Sequence, residues 1–244
     1  MNLMSLHAPV LNPAHEQEFL RRGYYFVLPL EKCALKPAGR RFLNHHGTPL
    51  TQTTLNEACF NCYKHVDALE FFRKRGADVH GRAEWNLRRA AEEGAFQTVK
   101  YLVVRGGDIH IHDNHPFRWA ARQGHFAIVQ YLLQHGANIH AVDDYALRWA
   151  ANNGHMAVVQ LLLRYGARIN ANNYEPLCWA AENGYVSVVQ FLVEHGSDVH
   201  AQDNYALRVA MHNRHVSVIK YLLLKGVYTT KERADAMKVI HSNV

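Results

Sequence analysis

No long apolar run occurs in this 244-residue chain. Its densest stretch, Val158-Val159 followed by Leu161-Leu162-Leu163, is interrupted within a few residues. A membrane-spanning helix needs about 20 largely apolar residues, so none is expected. Cysteine is scarce. Cys33, Cys59, Cys62 and Cys178 are too few for a disulfide framework in a chain of this length, and they fit free thiols in a reducing compartment. Residues Met1 to Glu18 lack a basic cluster followed by an apolar block, so no secretory signal is expected. A nucleophile motif, a phosphate-cradling glycine loop and a convergent acid–base pair are also missing, which argues against an enzyme. These absences lead to the expectation of an intracellular, cytoplasmic protein without a cofactor.

Concentrated charge is missing too. The formal net charge is +6, and residues 1–50 hold six bases against three acids, while the other 194 residues hold 21 against 18. Nucleic-acid binders usually carry a clustered basic stripe, and none can be placed here. What the chain does have is 48% apolar residues, enough for a packed core.

Those residues recur with a fixed period. Gly76, Gly106, Gly136, Gly166, Gly196 and Gly226 stand 30 residues apart, and Gly94, Gly124, Gly154 and Gly184 keep the same step before Arg214 ends it. Ala90-Ala91, Ala120-Ala121, Ala150-Ala151 and Ala180-Ala181 form a third ladder; Val99, Val129, Val159, Val189 and Ile219 form a fourth. Within one unit, Tyr145 to Asn153 reads as a short helix apolar nearly all round, which demands burial on several sides. Paired alanines let helices approach closely, and Gly154 supplies a helix stop. Met156 to Tyr165 reads as a second helix with Val158, Val159, Leu161, Leu162 and Leu163 inward, Gly166 as its cap, and an extended, polar turn over Ala167 to Asn173. Neither helix can bury its apolar surface alone, so the units must stack into a solenoid.

The segment Ala-Leu-Arg-Trp-Ala-Ala-Asn-Asn-Gly-His (146–155), followed by Val158 to Ala167, resembles the ankyrin repeat. The resemblance implies an all-α, ankyrin-repeat solenoid of stacked helix–turn–helix units. Each unit is 30 residues instead of about 33. The usual turn glycine and Thr-Pro pair are missing, and only Pro116 and Pro176 keep the helix-start proline. Short or irregular β-turn fingers are therefore expected. This variant is similar to the ankyrin proteins of giant viruses that infect amoebae, which would place it in the host cytoplasm.

Three regions are expected. Residues 1–50 form a non-repeat cap or docking element. Residues 51–226 form about six repeats, the first degenerate, with Leu55, Ala58 and Cys59 on its first helix and Val66, Leu69, Phe71 and Phe72 on its second. Residues 227–244 form a C-terminal capping helix, with Thr230 as N-cap.

Most of the 18 histidines keep the repeat's phase: His125, His155 and His215 after the glycine position, and His80, His110, His140 and His200 before the turn. A residue repeated once per unit serves a local structural need, such as bonding a neighbouring loop. Cys59-x-x-Cys62-x-x-His65 is the best metal candidate, and His45-His46 could complete it. Without a second cysteine pair, and with Cys59 suited to a buried position, no metal is expected. Arg88, Arg118, Arg148 and Arg208 form a ladder expected to pair with turn acids such as Asp113, Asp143 and Asp203, or to stack on aromatic rings. Trp119, Trp149 and Trp179 are expected to pack between repeats.

By the resemblance, binding falls on finger tips and first-helix exits. The tips are Asp113-Asn114-His115, Asp143-Asp144-Tyr145, Asn173-Tyr174-Glu175 and Asp203-Asn204-Tyr205; the exits include Arg122-Gln123, Asn152-Asn153 and Glu182-Asn183. The implied function is a non-catalytic, monomeric scaffold gripping a protein partner on these tips and the concave helix face, and the viral resemblance implies a host protein as that partner. The alternative is a nucleic-acid-associated protein using the Arg ladder and the basic N-terminal segment.

Overall fold

The computed structural model describes Asn56, Cys59 and residues 62–242. The expectations for residues 1–50, for Leu55 and Ala58 and for His45-His46 lie outside the described residues. After α1 (Val66–Arg73) come five helix pairs. They are α2 (Gly81–Glu92) with α3 (Phe96–Val104), α4 (Ile111–Arg122) with α5 (Phe126–Gln134), α6 (Ala141–Asn152) with α7 (Met156–Arg164), α8 (Ala171–Glu182) with α9 (Val186–Glu194), and α10 (Ala201–His212) with α11 (Val216–Lys225). The helix α12 (Thr230–His241) closes the series. Among the described residues there is no strand, and no helix is long and apolar enough to cross a membrane.

First helices stack on first helices and second helices on second helices, giving two layers. Leu87, Phe117, Leu147, Leu177 and Leu207 run through one layer, Leu102, Leu132, Leu162, Leu192 and Leu222 through the other, and each is 0–1% exposed. Burying one such side chain contributes about 1.5–3 kcal/mol. The alanine pairs at 90–91, 120–121, 150–151 and 180–181 are fully buried where first helices meet. At the start of the described array, Leu69 and Phe72 of α1 are fully buried, as is Cys59, while Phe71 is only half-buried. Glu70 joins α1 to α3 by accepting hydrogen bonds from Arg73 and from the Tyr101 hydroxyl. At the other end the N-cap is Thr229, one residue before the expected Thr230. Its hydroxyl accepts from the Glu232 N–H, and the Glu232 carboxylate accepts from the Thr229 N–H, forming a capping box.

The two glycine ladders have different causes. Gly166, at φ +95°, caps α7 with nothing within 4 Å of where a Cβ would stand, so backbone conformation alone requires glycine there. Gly154, at φ +73°, also lies under the Tyr185 ring of the next unit, which a Cβ would meet at 2.5 Å. His125, His155 and His215 cover Gly94, Gly124 and Gly184 in the same way. Arg214 keeps the positive φ, at 58°, in the last helix pair. Gly226 departs from its ladder: its φ is −106° and its backbone is extended.

Gly166→Ala is expected to cost about 1–2 kcal/mol, the penalty of a left-handed alanine. Gly154→Ala should cost clearly more, and Tyr185→Ala should relieve the excess. Urea denaturation of the two single variants and the double variant checks this. Equal costs at both glycines would mean that the ring contact contributes nothing.

Candidate functional site

Each first helix opens on a left-handed turn in place of a β-finger. His112-Asp113-Asn114, Val142-Asp143-Asp144, Asn172-Asn173-Tyr174 and Gln202-Asp203-Asn204 all have φ between 43° and 65°. Glu84 shares this conformation in α2. For non-glycine residues it costs roughly 1–2 kcal/mol each, and β-branched Val142 is especially ill-suited to it. The right-handed helix begins only afterwards, at His115, Tyr145, Glu175 and Tyr205.

Two sets of bonds hold these turns. The first is a clamp built on the third turn residue. The buried Asp144 carboxylate accepts from the Arg168 backbone N–H of the next unit at 3.0 Å, from Arg168 Nε at 2.6 Å and from His140 Nδ1 at 2.9 Å. Asn114 Oδ1 accepts from the Asn138 N–H at 2.9 Å and from His110 Nδ1 at 3.1 Å. Glu84 does the same with the Asp108 N–H and His80, at 3.0 and 2.9 Å. Near the end, Asn204 accepts from His200 and donates to Glu232 of α12. The phase-locked histidines thus orient the side chains that join unit to unit. In α8, Asn170 and Tyr174 replace this pair, and among the described residues the buried Ser197 hydroxyl of the next junction has no hydrogen-bond partner.

The second set comes from the Arg ladder. Arg118 donates to the Asp113 and His112 carbonyls at 2.7 and 2.8 Å, and Arg148 to the Asp143 and Val142 carbonyls at 2.9 and 2.8 Å. Within their own turns these arginines bond backbone carbonyls and not the Asp113 and Asp143 carboxylates. The expected acid pairing occurs between Arg148 and Glu175, and the expected ring stacking on Tyr145, at 4.9 Å from Arg118 and 5.9 Å from Arg148. A left-handed turn points its carbonyls where a guanidinium five or six residues on can reach them. Where Cys178 replaces the arginine, Gln202 of the next unit donates to the Asn173 carbonyl. The second histidine series acts between units: His125, His155 and His215 donate through Nε2 to the carbonyls of Glu92, Arg122 and Glu182 at 2.8–3.0 Å.

The same layer presents an aromatic row. Trp119, Trp149 and Trp179 pack across units, as Trp149 to Trp179 at 5.5 Å shows, yet all three are only half-buried, so their outer faces meet solvent. His115 lies 5.3 Å from Trp119, and Tyr145 lies 5.7 Å from Trp149. The Arg122 guanidinium lies between Trp119 and Trp149, at 4.5 and 4.1 Å from their ring centres. This surface joins several of the expected contact residues.

Those residues fall into three groups. Asp113, Asp143, Asn173, Asp203, Gln123 and Asn183 are exposed. His115, Tyr145, Tyr174, Glu175, Asn204, Tyr205, Arg122, Asn152, Asn153 and Glu182 are half-buried. Asn114 and Asp144 are corrections: at 6% and 0% exposure they are clamps and not finger tips. Glu175 already accepts from Arg148 at 2.6 Å and from Asn172. Asn153 donates to the Arg122 carbonyl, and Asn183 to Asn152 and the Trp179 carbonyl. The tryptophan row, read from sequence as packing alone, is only half-buried, an outer face that sequence reasoning did not foresee. A signal was the large Trp at 119, 149 and 179 directly after a polar or small residue (Arg118, Arg148, Cys178) on each first helix.

His115 is kept neutral. Burial, then the charges of Arg88, Arg118 and His112, push its pKa down to about 4. The Cys59 and Cys178 thiols are pushed up to about 12, chiefly by burial, which makes them poor nucleophiles and metal ligands. Among the described residues no three His, Cys, Asp or Glu side chains converge as a metal site would require, Cys59, Cys62 and His65 included.

A family model described as ankyrin repeats (3 copies) matches residues 87–173 and 147–234, together more than half of the chain. No curated protein matches the chain.

Asp144→Ala strips three donors of their acceptor and should cost about 1–3 kcal/mol. Exposed Asp143→Ala should stay within about 0.5 kcal/mol. Thermal melts of both variants check the contrast. His115 supplies a pH dependence. The unfolded chain takes up its proton near 6.5, whereas the folded chain refuses it until about 4, so acidification through that window favours unfolding. His115→Gln should lose stability less steeply between those limits, as urea midpoints at stepped pH would show.

Proposed function

The chain belongs to the ankyrin-repeat family, and on that premise we propose that it is a non-catalytic scaffold binding a protein partner through its first-helix layer and turn tips. Ankyrin repeats generally mediate protein–protein interactions. The observation that carries the reading is the half-buried row of Trp119, Tyr145, Trp149 and Trp179. Aromatic side chains with one face packed and the other wet are typical interface anchors, because they bury much area at small entropy cost. Around them stand adaptable polar groups: Asn152, Asn153, Gln123 and Asn183 at the helix exits, and Asp113, Asp143, Asn173 and Asp203 on the turns. Tyr174, Glu175, Asn204, Tyr205, His115, Arg122 and Glu182 complete the contact surface in this reading.

The nucleic-acid alternative is weakened by the use of the Arg ladder. Arg118 and Arg148 spend donors on their own turns, and Glu175 already neutralises Arg148. The likeness to ankyrin proteins of amoeba-infecting giant viruses carries a narrower proposal, that the partner is a host protein met in the host cytoplasm.

Capture from an amoebal lysate is the direct test, with wild type beside a Tyr145→Ala, Tyr174→Ala, Tyr205→Ala variant. A partner held by wild type and lost by the variant is the expected result. Equal retention by both would remove the turn tips from the site, and salt-sensitive retention on a DNA column would favour the alternative.

A further inference from the structure

The charges on the first-helix layer are unevenly paired. Arg89, toward the N-terminal end, bonds Glu92 and Glu93 at 2.7 Å, and Arg148 bonds Glu175 at 2.6 Å. Arg88, Arg118 and Arg122 differ: among the described residues no carboxylate is within ion-pair distance of any of the three, and Arg118 keeps its charge unneutralised although its Nε and Nη2 bond the carbonyls of its own turn. Arg122 is the most telling. Its guanidinium lies over both the Trp119 and Trp149 rings, and among the described residues no hydrogen bond engages its N–H groups, which leaves them for a ligand. A stacked guanidinium has its fork already oriented, so it can take a carboxylate bidentately with little further loss of freedom. Arg88 adds a buried Nε without a hydrogen-bond partner. His115, beside Arg88 and Arg118, holds no proton at neutral pH, chiefly because it is partly buried and secondarily because of their charge.

We propose that Arg88, Arg118 and Arg122, set against Trp119 and Trp149, form a receptor for an extended peptide segment carrying Asp or Glu side chains. This rests on the scaffold reading and names the chemistry of the partner at that face. A carboxylate supplies the counter-charge the patch lacks, and the tryptophan faces take the apolar part of the same segment. Bracketing by Glu92 and Glu93 on one side and Glu175 and Glu182 on the other favours a peptide over a nucleic acid. A polyanion with evenly spaced phosphates would meet those acids as well as the arginines, whereas discrete carboxylates can fall between them.

The test uses the full chain and synthetic 12-residue peptides in an array graded in Asp and Glu content, each beside its Asn/Gln counterpart. A single-stranded DNA oligonucleotide of similar length serves as the phosphate probe. Tryptophan fluorescence and anisotropy read binding. Acidic peptides should bind in a salt-sensitive way and their amide counterparts at least about tenfold more weakly. Arg122→Gln should weaken acidic-peptide binding by a similar factor. Arg122→Lys should restore little of it, since lysine has no planar fork. Arg164→Gln, on the exposed part of α7, should change nothing. Thermal melts establish that the variants are folded; if Arg122→Gln is not, Arg122→Lys alone decides, and wild-type affinity in that variant overturns the proposal. Equal binding of acidic and amide peptides, no binding of either, or tighter binding of the oligonucleotide also overturns it. A lysate partner that depends on Tyr174 and Tyr205 but not on Arg122 would sink this proposal and leave the scaffold reading standing.

Discussion

One hydrogen-bonded joint underlies the rest: a turn side chain of one unit reaching the backbone N–H found 24 residues later. Glu84 to Asp108, Asn114 to Asn138 and Asp144 to Arg168 repeat it in three successive junctions. The joint requires its acceptor to point back into the stack, and the left-handed turn achieves that orientation. The strain of three such residues is of order a few kcal/mol per turn. It is offset by the joint, by the histidine that orients it, and by the arginine on the turn's carbonyls. From this follow the placement of the first helices side by side, the closeness of their buried alanines, and the spacing of tryptophans on the outer face.

Much of this was legible because it is periodic. Glycine, alanine and aliphatic ladders set helix number, helix ends and the buried faces, and all depend on contacts within or between adjacent units. The shortened repeat led to the expectation of short or irregular fingers, and among the described residues no strand forms at all. What replaced it was harder to read, since Asp and Asn suit many turns and Val142 argues against a left-handed one. The chain adopts it there because the neighbours over-determine it: Arg148 holds the Val142 and Asp143 carbonyls while Asp144 is locked from three directions. Asp144 and Asn114 look like solvated tips in a one-dimensional reading and prove to be among the least exposed polar groups. Gly226 shows the opposite error, a residue in perfect phase whose backbone has left the pattern.

The candidate site was legible in part for a similar reason. A once-per-unit residue can be structural on one side and available on the other, and phase does not distinguish the two. The tryptophans illustrate this: their packed faces meet the neighbouring unit, while their outer faces and the stacked Arg122 form the surface assigned to a partner. Because that surface sits on the regular helices and not on mobile loops, a ligand there meets side chains already held in place. Binding then costs little ordering of the receptor.

The clamp also bears on how such a chain can be lengthened or shortened. Acceptor and donor are offset by the same 24 residues at each regular junction, within a period of 30. Excising one whole period therefore brings an acceptor to a donor with the separation it already had, and inserting one creates a new matched pair. A gene encoding this fold can gain or lose modules in frame while the joints of the regular junctions stay closed. Cuts of any other length would leave a buried carboxylate or amide facing no partner.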